Sequence, residues 1–175
     1  AEVGRMRFSF FHRNFITTSS ALSVTSGSST MSNLIDRKLS TKWTSDSQNS
    51  DVLTAVVRWT PASATNISYI MLQNHNFKDF TITYNSGTAF TPAFSLTSNA
   101  NSNTFFGVTS VTVNHIDILV TKTFVTNAEK FLAELIVSQL EVTLDTNPRA
   151  SNYRPIKYKK GVEHELSDCG IVSVF

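Results

Sequence analysis

Alternation of apolar and polar residues is the feature that most constrains this chain. Val111-Thr112-Val113-Asn114-His115-Ile116-Asp117-Ile118-Leu119-Val120 puts an apolar side chain at nearly every second position, as a strand with one buried face requires. Phe80-Thr81-Ile82-Thr83-Tyr84 and Leu140-Glu141-Val142-Thr143-Leu144 repeat the pattern. Between such runs lie stretches rich in Ser, Thr, Asn and Gly, at residues 25–30, 85–87 and 97–103, which favour turns. Many short strands at this spacing predict an all-β fold, an antiparallel β-sandwich. One stretch is ambiguous. Residues 127–135 also suit an Asn-capped helix, and we read them as a brief turn at most, passing into a strand at Ala133.

The chain has 175 residues, 41% of them hydrophobic, enough for one well-buried core. Leu34, Ile35, Trp43, Val57, Ile67, Ile70, Leu72, Ile82, Ile116, Ile118, Leu135 and Val137 are the residues expected to fill it. Only 16% of residues are charged, and the abundance of Ser, Thr and Asn suits an extracellular or virion β protein. A net charge of +2 is too small to imply a nucleic-acid partner by field alone. The single cysteine, Cys169, excludes an internal disulfide; it suits a small buried residue, although a surface thiol or an intermolecular half-bridge stays open. No apolar run approaches the ~20 residues needed to span a bilayer, so no membrane insertion is expected. The start, residues 5–15, is apolar but broken by charges and reads as a strand, not a signal peptide.

One block carries possible ligand chemistry. Asp36-Arg37-Lys38-Leu39-Ser40-Thr41-Lys42-Trp43 offers hard oxygen donors at Asp36 and Thr41, and Ala133-Glu134 brings a second carboxylate from far along the chain. Ca²⁺ takes about six to eight oxygens, many of them loop carbonyls. The same residues have a plainer reading, since Asp and Thr are ordinary turn formers and Trp43 can anchor the next strand in the core.

Asp-x4-Thr-x-Trp followed by Thr44-Ser45 resembles the signature of discoidin-type domains, the galactose-binding-like jelly rolls that include the coagulation-factor C-type domains and many carbohydrate-binding modules. Val56-Val57-Arg58-Trp59, Ile67-Ser68-Tyr69-Ile70-Met71-Leu72 and Ala133-Glu134-Leu135-Ile136-Val137 resemble further strands of that family, in the right order. The likeness covers roughly residues 20 to 144. It implies a jelly roll at 20–146, flanked by a docking segment at 1–19 and a carboxy-terminal arm at 147–175. It also implies a structural Ca²⁺ held by Asp36, Thr41 and Glu134 with backbone carbonyls near Asn33 and Lys38. The family usually has Gly directly after the Asp. This chain has Arg37, which is costly if that residue needs a positive φ.

Asn74-His75-Asn76-Phe77 is the candidate for ligand contact, because it joins amide groups, an imidazole and an aromatic face in one connection, a combination that fits sugar hydroxyls and C–H faces. Such Asn and His side chains also tie down loops through backbone hydrogen bonds. Trp59 reads as core. Catalysis has little support. His12, His75, His115 and His164 are scattered without ligand spacing, no Gly-rich phosphate loop or G-x-S-x-G elbow occurs, and His115 reads as a strand residue beside Asp117. The arm is basic over 157–160 and ends in Ile171-Val172-Ser173-Val174-Phe175. That strand either pairs with another chain or closes on the amino-terminal strand. The arm and Leu72-Gln73-Asn74-His75-Asn76-Phe77 also resemble bacteriophage tail proteins that carry a galactose-binding-like domain. The favoured expectation is therefore a structural, non-enzymatic component of a virion tail or similar assembly, contacting other copies or neighbouring subunits through residues 1–16 and 148–175, with glycan adhesion on exposed loops. The alternative is a free, non-catalytic carbohydrate-binding module, and either would place the protein in a virion or outside the cell.

Overall fold

The computed structural model describes residues 8–11, 13–46 and 51–144. Its strands are β1 (Phe8–Phe11), β2 (Leu22–Val24), β3 (Trp43–Thr44), β4 (Ala55–Trp59), β5 (Thr65–His75), β6 (Phe77–Tyr84), β7 (Thr88–Leu96), β8 (Thr104–Val113), β9 (Ile116–Thr123), β10 (Phe131–Ser138) and β11 (Leu140–Leu144). Two short 3₁₀ helices, Ser19–Ala21 and Ser28–Ile35, precede β2 and β3. By contact the chain divides into two units, one running from Phe10 to Val142 and the other made of Ala1–Ser9 with Thr143–Phe175.

A five-stranded sheet of order β2-β4-β9-β6-β7 and a four-stranded sheet of order β3-β10-β5-β8 make up the larger unit, with antiparallel pairing throughout. The expected antiparallel β-sandwich is therefore present. Alternation does what the sequence requires of it: in β9, Ile116, Ile118 and Val120 are buried while Leu119 stays partly exposed. They meet Val57 and Trp59 of β4, Ile82 of β6, Ile70 and Leu72 of β5 and Leu135 and Val137 of β10 in one core. Of the twelve residues expected there, eleven are buried and Ile35 packs against the core from its margin. Trp43 is fully buried, and its indole N–H donates to the Ser26 carbonyl at 3.0 Å, the partner a buried indole needs.

Residues 127–135 form no helix. Asn127 adopts φ 60 in a turn, and β10 begins at Phe131. Lys130 lies between the two and is fully buried, with Nζ donating to the Leu53 carbonyl at 2.8 Å; burial holds its pKa below the ordinary lysine value, against the attraction of Asp51. A turn lysine ordinarily faces solvent, and nothing local in the sequence marks this one.

Part of the amino-terminal segment expected at 1–19 packs on the sandwich. Asn14 lies alongside β10, accepting the Val137 N–H at 3.0 Å and donating to the Leu135 carbonyl at 3.0 Å, and the Phe15 N–H donates to the Val137 carbonyl at 2.9 Å. Ile16 enters the core. Residues 14–16 are thus bonded into the sandwich. β1 pairs with β11 in a separate two-stranded sheet, so Phe8–Phe11 takes Leu140–Leu144 as its partner. The contacts expected of residues 148–175, the Ile171–Phe175 strand and Cys169 lie outside the described residues, as do His12 and His164.

Candidate functional site

The loop between the second 3₁₀ helix and β3 gathers oxygen atoms. Asp36 ends that helix and closes an Asx turn, its Oδ1 accepting the Lys38 N–H at 2.9 Å. Its Oδ2 accepts the Thr41 hydroxyl at 2.5 Å, and the same Thr41 Oγ1 lies 3.1 Å from the Lys38 carbonyl oxygen. The Thr41 hydrogen bond chiefly holds the Asp36 carboxyl below its ordinary pKa, aided by the Lys38 amide and charge. Glu134 of β10 is affected by the same charges: burial raises its pKa, Arg37 lowers it and Asp36 raises it. The fold thus brings Asp36, Thr41, the Lys38 carbonyl and Glu134 into one neighbourhood. Asn33 acts on the loop's far end, its Nδ2 donating to the Lys42 carbonyl at 2.9 Å. Carboxylate, hydroxyl and carbonyl oxygens match a hard cation in kind. No group of three His, Cys, Asp or Glu side chains gathers among the described residues, so such an ion would depend on loop oxygens. Arg37 has φ 62. The loop therefore keeps the left-handed turn that a glycine would supply, and an arginine bears the strain.

The Asn74 to Phe77 connection turns inward, and its reading as a ligand loop is corrected here. His75, Asn76 and Phe77 are all buried, because Asn76 is the single residue by which the chain crosses from β5 in one sheet to β6 in the other. Its side chain replaces the missing strand partner: Oδ1 accepts the Phe131 N–H at 2.9 Å and Nδ2 donates to the Glu129 carbonyl at 2.6 Å. His75 bonds through Nε2 to the Thr104 hydroxyl and accepts the Phe77 N–H at Nδ1, 3.0 Å away. Rings of Phe77, Phe80 and Phe124 surround it. Burial drops its pKa to about 4, so the imidazole is neutral and structural. Asn74 is half-buried at φ 50, and it too bridges loops, donating to the Leu39 carbonyl at 2.9 Å and taking the Asn103 side chain on its N–H at 2.9 Å. The side chains chosen for sugar contact are thus spent on the corner.

His115 has a comparable duty at the opposite end of β6. Its Nε2 accepts the Ser86 N–H at 2.9 Å and sits 3.6 Å from Asp117, whose carboxylate is clamped by Arg58 at 2.6 and 2.9 Å. With its lone pair used by a backbone amide, the imidazole is a turn fastener and not a poised base.

Sequence reasoning missed a cleft on the side of the sandwich. In the β6–β7 pairing the register jumps from Ile82 opposite Phe94 to Thr83 opposite Ala89, so Phe90, Thr91, Pro92 and Ala93 of β7 have no ladder partner on β6. In the β5–β8 pairing it jumps from Ile67 opposite Val111 to Tyr69 opposite Gly107, so Val108, Thr109 and Ser110 of β8 stand against the single residue Ser68. The strands β7 and β8 are the edges of different sheets, and between them opens a cleft of about 220 Å³ lined by Tyr84, Phe90, Thr91, Thr109, Ser110 and Val111. Tyr84 packs on Phe90 with ring centroids 4.6 Å apart.

Several solved structures are similar to this chain in fold. A chitosan-binding module from the chitosanase/glucanase of Paenibacillus sp. IK-5 is similar over 72% of this chain and 98% of its own, with a TM-score of 0.59 at 18% identity. A family 32 carbohydrate-binding module from C. perfringens NanJ, solved in complex with galactose, is similar over 77% of this chain and 100% of its own, with a TM-score of 0.55 at 18% identity. The fold is a galactose-binding-like β-sandwich. A further Clostridium perfringens module, CBM32-5 of GH89, in complex with GalNAc-β-1,3-galactose, is similar over 68% of this chain and 96% of its own, with a TM-score of 0.52 at 13% identity. No protein-family model matches the chain, and no curated protein matches it in sequence.

Proposed function

We propose that this galactose-binding-like sandwich is a non-catalytic carbohydrate-binding module. The observation carrying the reading is that two glycan-binding modules, the chitosan-binding module and the family 32 module, are covered almost end to end by the sandwich, at 98% and 100% of their lengths. Physical features of the described residues agree with it. The histidines among them, His75 and His115, are engaged in hydrogen bonds that hold corners and turns, so neither imidazole is a poised base. The virion role rested on the two ends of the chain, and no described residue or structural likeness supports it, so the glycan-binding reading takes its place.

In the same reading a Ca²⁺ held by Asp36, Thr41, Glu134 and the Lys38 carbonyl would brace the loop before β3 against β10, a structural and not a catalytic role. An ion there would add positive charge to two carboxylates, beside that of Lys38 on Asp36 and Arg37 on Glu134. The test of function is retention of the full chain on immobilised polysaccharides, with galactose-bearing glycans and chitosan as probes, together with an assay for released reducing ends. Retention on at least one glycan without release is expected. Absence of retention on every glycan, or sugar release, would overturn the reading.

A further inference from the structure

We infer that the side cleft between β7 and β8 is a binding site for a single neutral sugar ring. The inference rests on the glycan-binding reading and goes further, assigning a place on the sandwich and a charge class to the ligand.

Its first support is the way the cleft is made. Two edge strands of different sheets each carry an irregularity, and residues left without a ladder partner line one cleft: Phe90 and Thr91 from β7, Thr109 and Ser110 from β8. A bulge breaks ladder pairing and re-aims a side chain, and it is over-represented at sheet edges and beside functional sites. Were both edges regular, their side chains would alternate between the core and solvent and could not converge on one hollow.

The second support is the lining. Tyr84 and Phe90 form an aromatic wall, Phe90 as a buried floor and Tyr84 half-exposed above it. Thr91, Thr109 and Ser110, each exposed and each carrying a hydroxyl, line the same cleft. A pyranose presents an apolar C–H face and an edge of hydroxyls, and this pairing of ring with donor and acceptor groups suits both. None of the lining residues is charged, which selects a neutral ring over a uronic acid, a sulfated sugar or an amine. At about 220 Å³ the cleft is below the ~300–1,000 Å³ of drug-sized pockets, so it takes one ring and leaves the rest of a chain outside.

The experiment is calorimetric titration of the full chain with galactose, glucose, N-acetylglucosamine and galacturonic acid, repeated on S110W and Y84A, with thermal melting of each variant. Ser110 is exposed, so S110W fills the cleft without entering the core. We expect a neutral sugar to bind the wild type, galacturonic acid to bind at least tenfold more weakly, and S110W to raise Kd at least tenfold with its melting temperature unchanged. Y84A should weaken binding to a similar extent, and S110W settles the matter if Y84A unfolds. Binding of equal strength to wild type and S110W would overturn the cleft site while leaving the glycan-binding reading intact. Competition for the cleft by an extended peptide that adds to the β7 or β8 edge, with no sugar bound, would overturn both.

Discussion

Gly27 is the position where a single methyl group should do most damage. Its φ is +74, and a Cβ built there would lie 1.9 Å from the Thr44 carbonyl oxygen and 2.8 Å from Trp43 Nε1. Two penalties combine in Gly27→Ala. The left-handed backbone costs an L-residue ~1–2 kcal/mol. The clash falls on main chain that cannot retreat, since Thr44 pairs with Phe131 and its N–H is held by the Thr30 hydroxyl at 3.0 Å, and overpacking of such a site costs ~1–3 kcal/mol. The sum is ~2–5 kcal/mol, or roughly 4–20 °C in Tm for a chain of this size. Gly87 is the control, because it has φ +92 and nothing within 4 Å of its would-be Cβ, so Gly87→Ala should retain only the ~1–2 kcal/mol backbone penalty. Urea unfolding of the two variants side by side isolates the clash as their difference. Equal losses in both would refute the close approach of this backbone to Trp43.

Two further outcomes are expected. His75 has a folded pKa of about 4 against 6.5 unfolded, so the unfolded chain takes up the proton first. Its contribution is complete above pH 6.5 and disappears as pH falls towards 4, by up to ~3 kcal/mol; denaturation at pH 7 and pH 4.5 should reveal this, and a His75→Gln chain that kept the same pH slope would assign it to other groups. Ca²⁺ should raise the melting temperature relative to chelator by mass action, Asp36→Ala should abolish that difference, and Arg37→Gly should enlarge it by removing a competing positive charge. Identical melting in Ca²⁺ and chelator for wild type and Arg37→Gly alike would leave Asp36 as the cap of a turn.

The alternating runs made the sandwich legible, because a buried face leaves a period of two that no tertiary detail can hide. Core membership followed for the same reason: Ile116 and Ile118 had to share a side. The Asp36 to Trp43 block was legible too, since its bonds are local, from Asp36 to Lys38 and Thr41, and so was the tension at Arg37. The Asn74 to Phe77 connection misled because its composition suits a ligand and a corner equally. What decides between them is that β5 and β6 belong to different sheets, a fact of topology that no residue in the segment announces.

The side cleft marks the limit of local reading most clearly. Nothing in Phe90-Thr91-Pro92-Ala93 states that Thr83 will pair with Ala89 and Ile82 with Phe94, and nothing in Val108-Thr109-Ser110 states that Ser68 alone will face all three. Each register shift is fixed by which flanking side chains must reach the core: Ile82 and Phe106 on one side of the shifts, Ile67, Val113 and Ile116 on the other. Of the residues that the shifts leave without a ladder partner, Phe90 and Val108 turn into the core, while Thr91, Thr109 and Ser110 stay exposed. Core packing thus dictates where the edges break, and the polar side chains expelled there become available for recognition. A chain with one extra residue deleted from Thr109 or Ser110 should therefore fold with a more regular edge and lose the cleft, whereas deletion within Ile116–Val120 should destroy the sandwich itself.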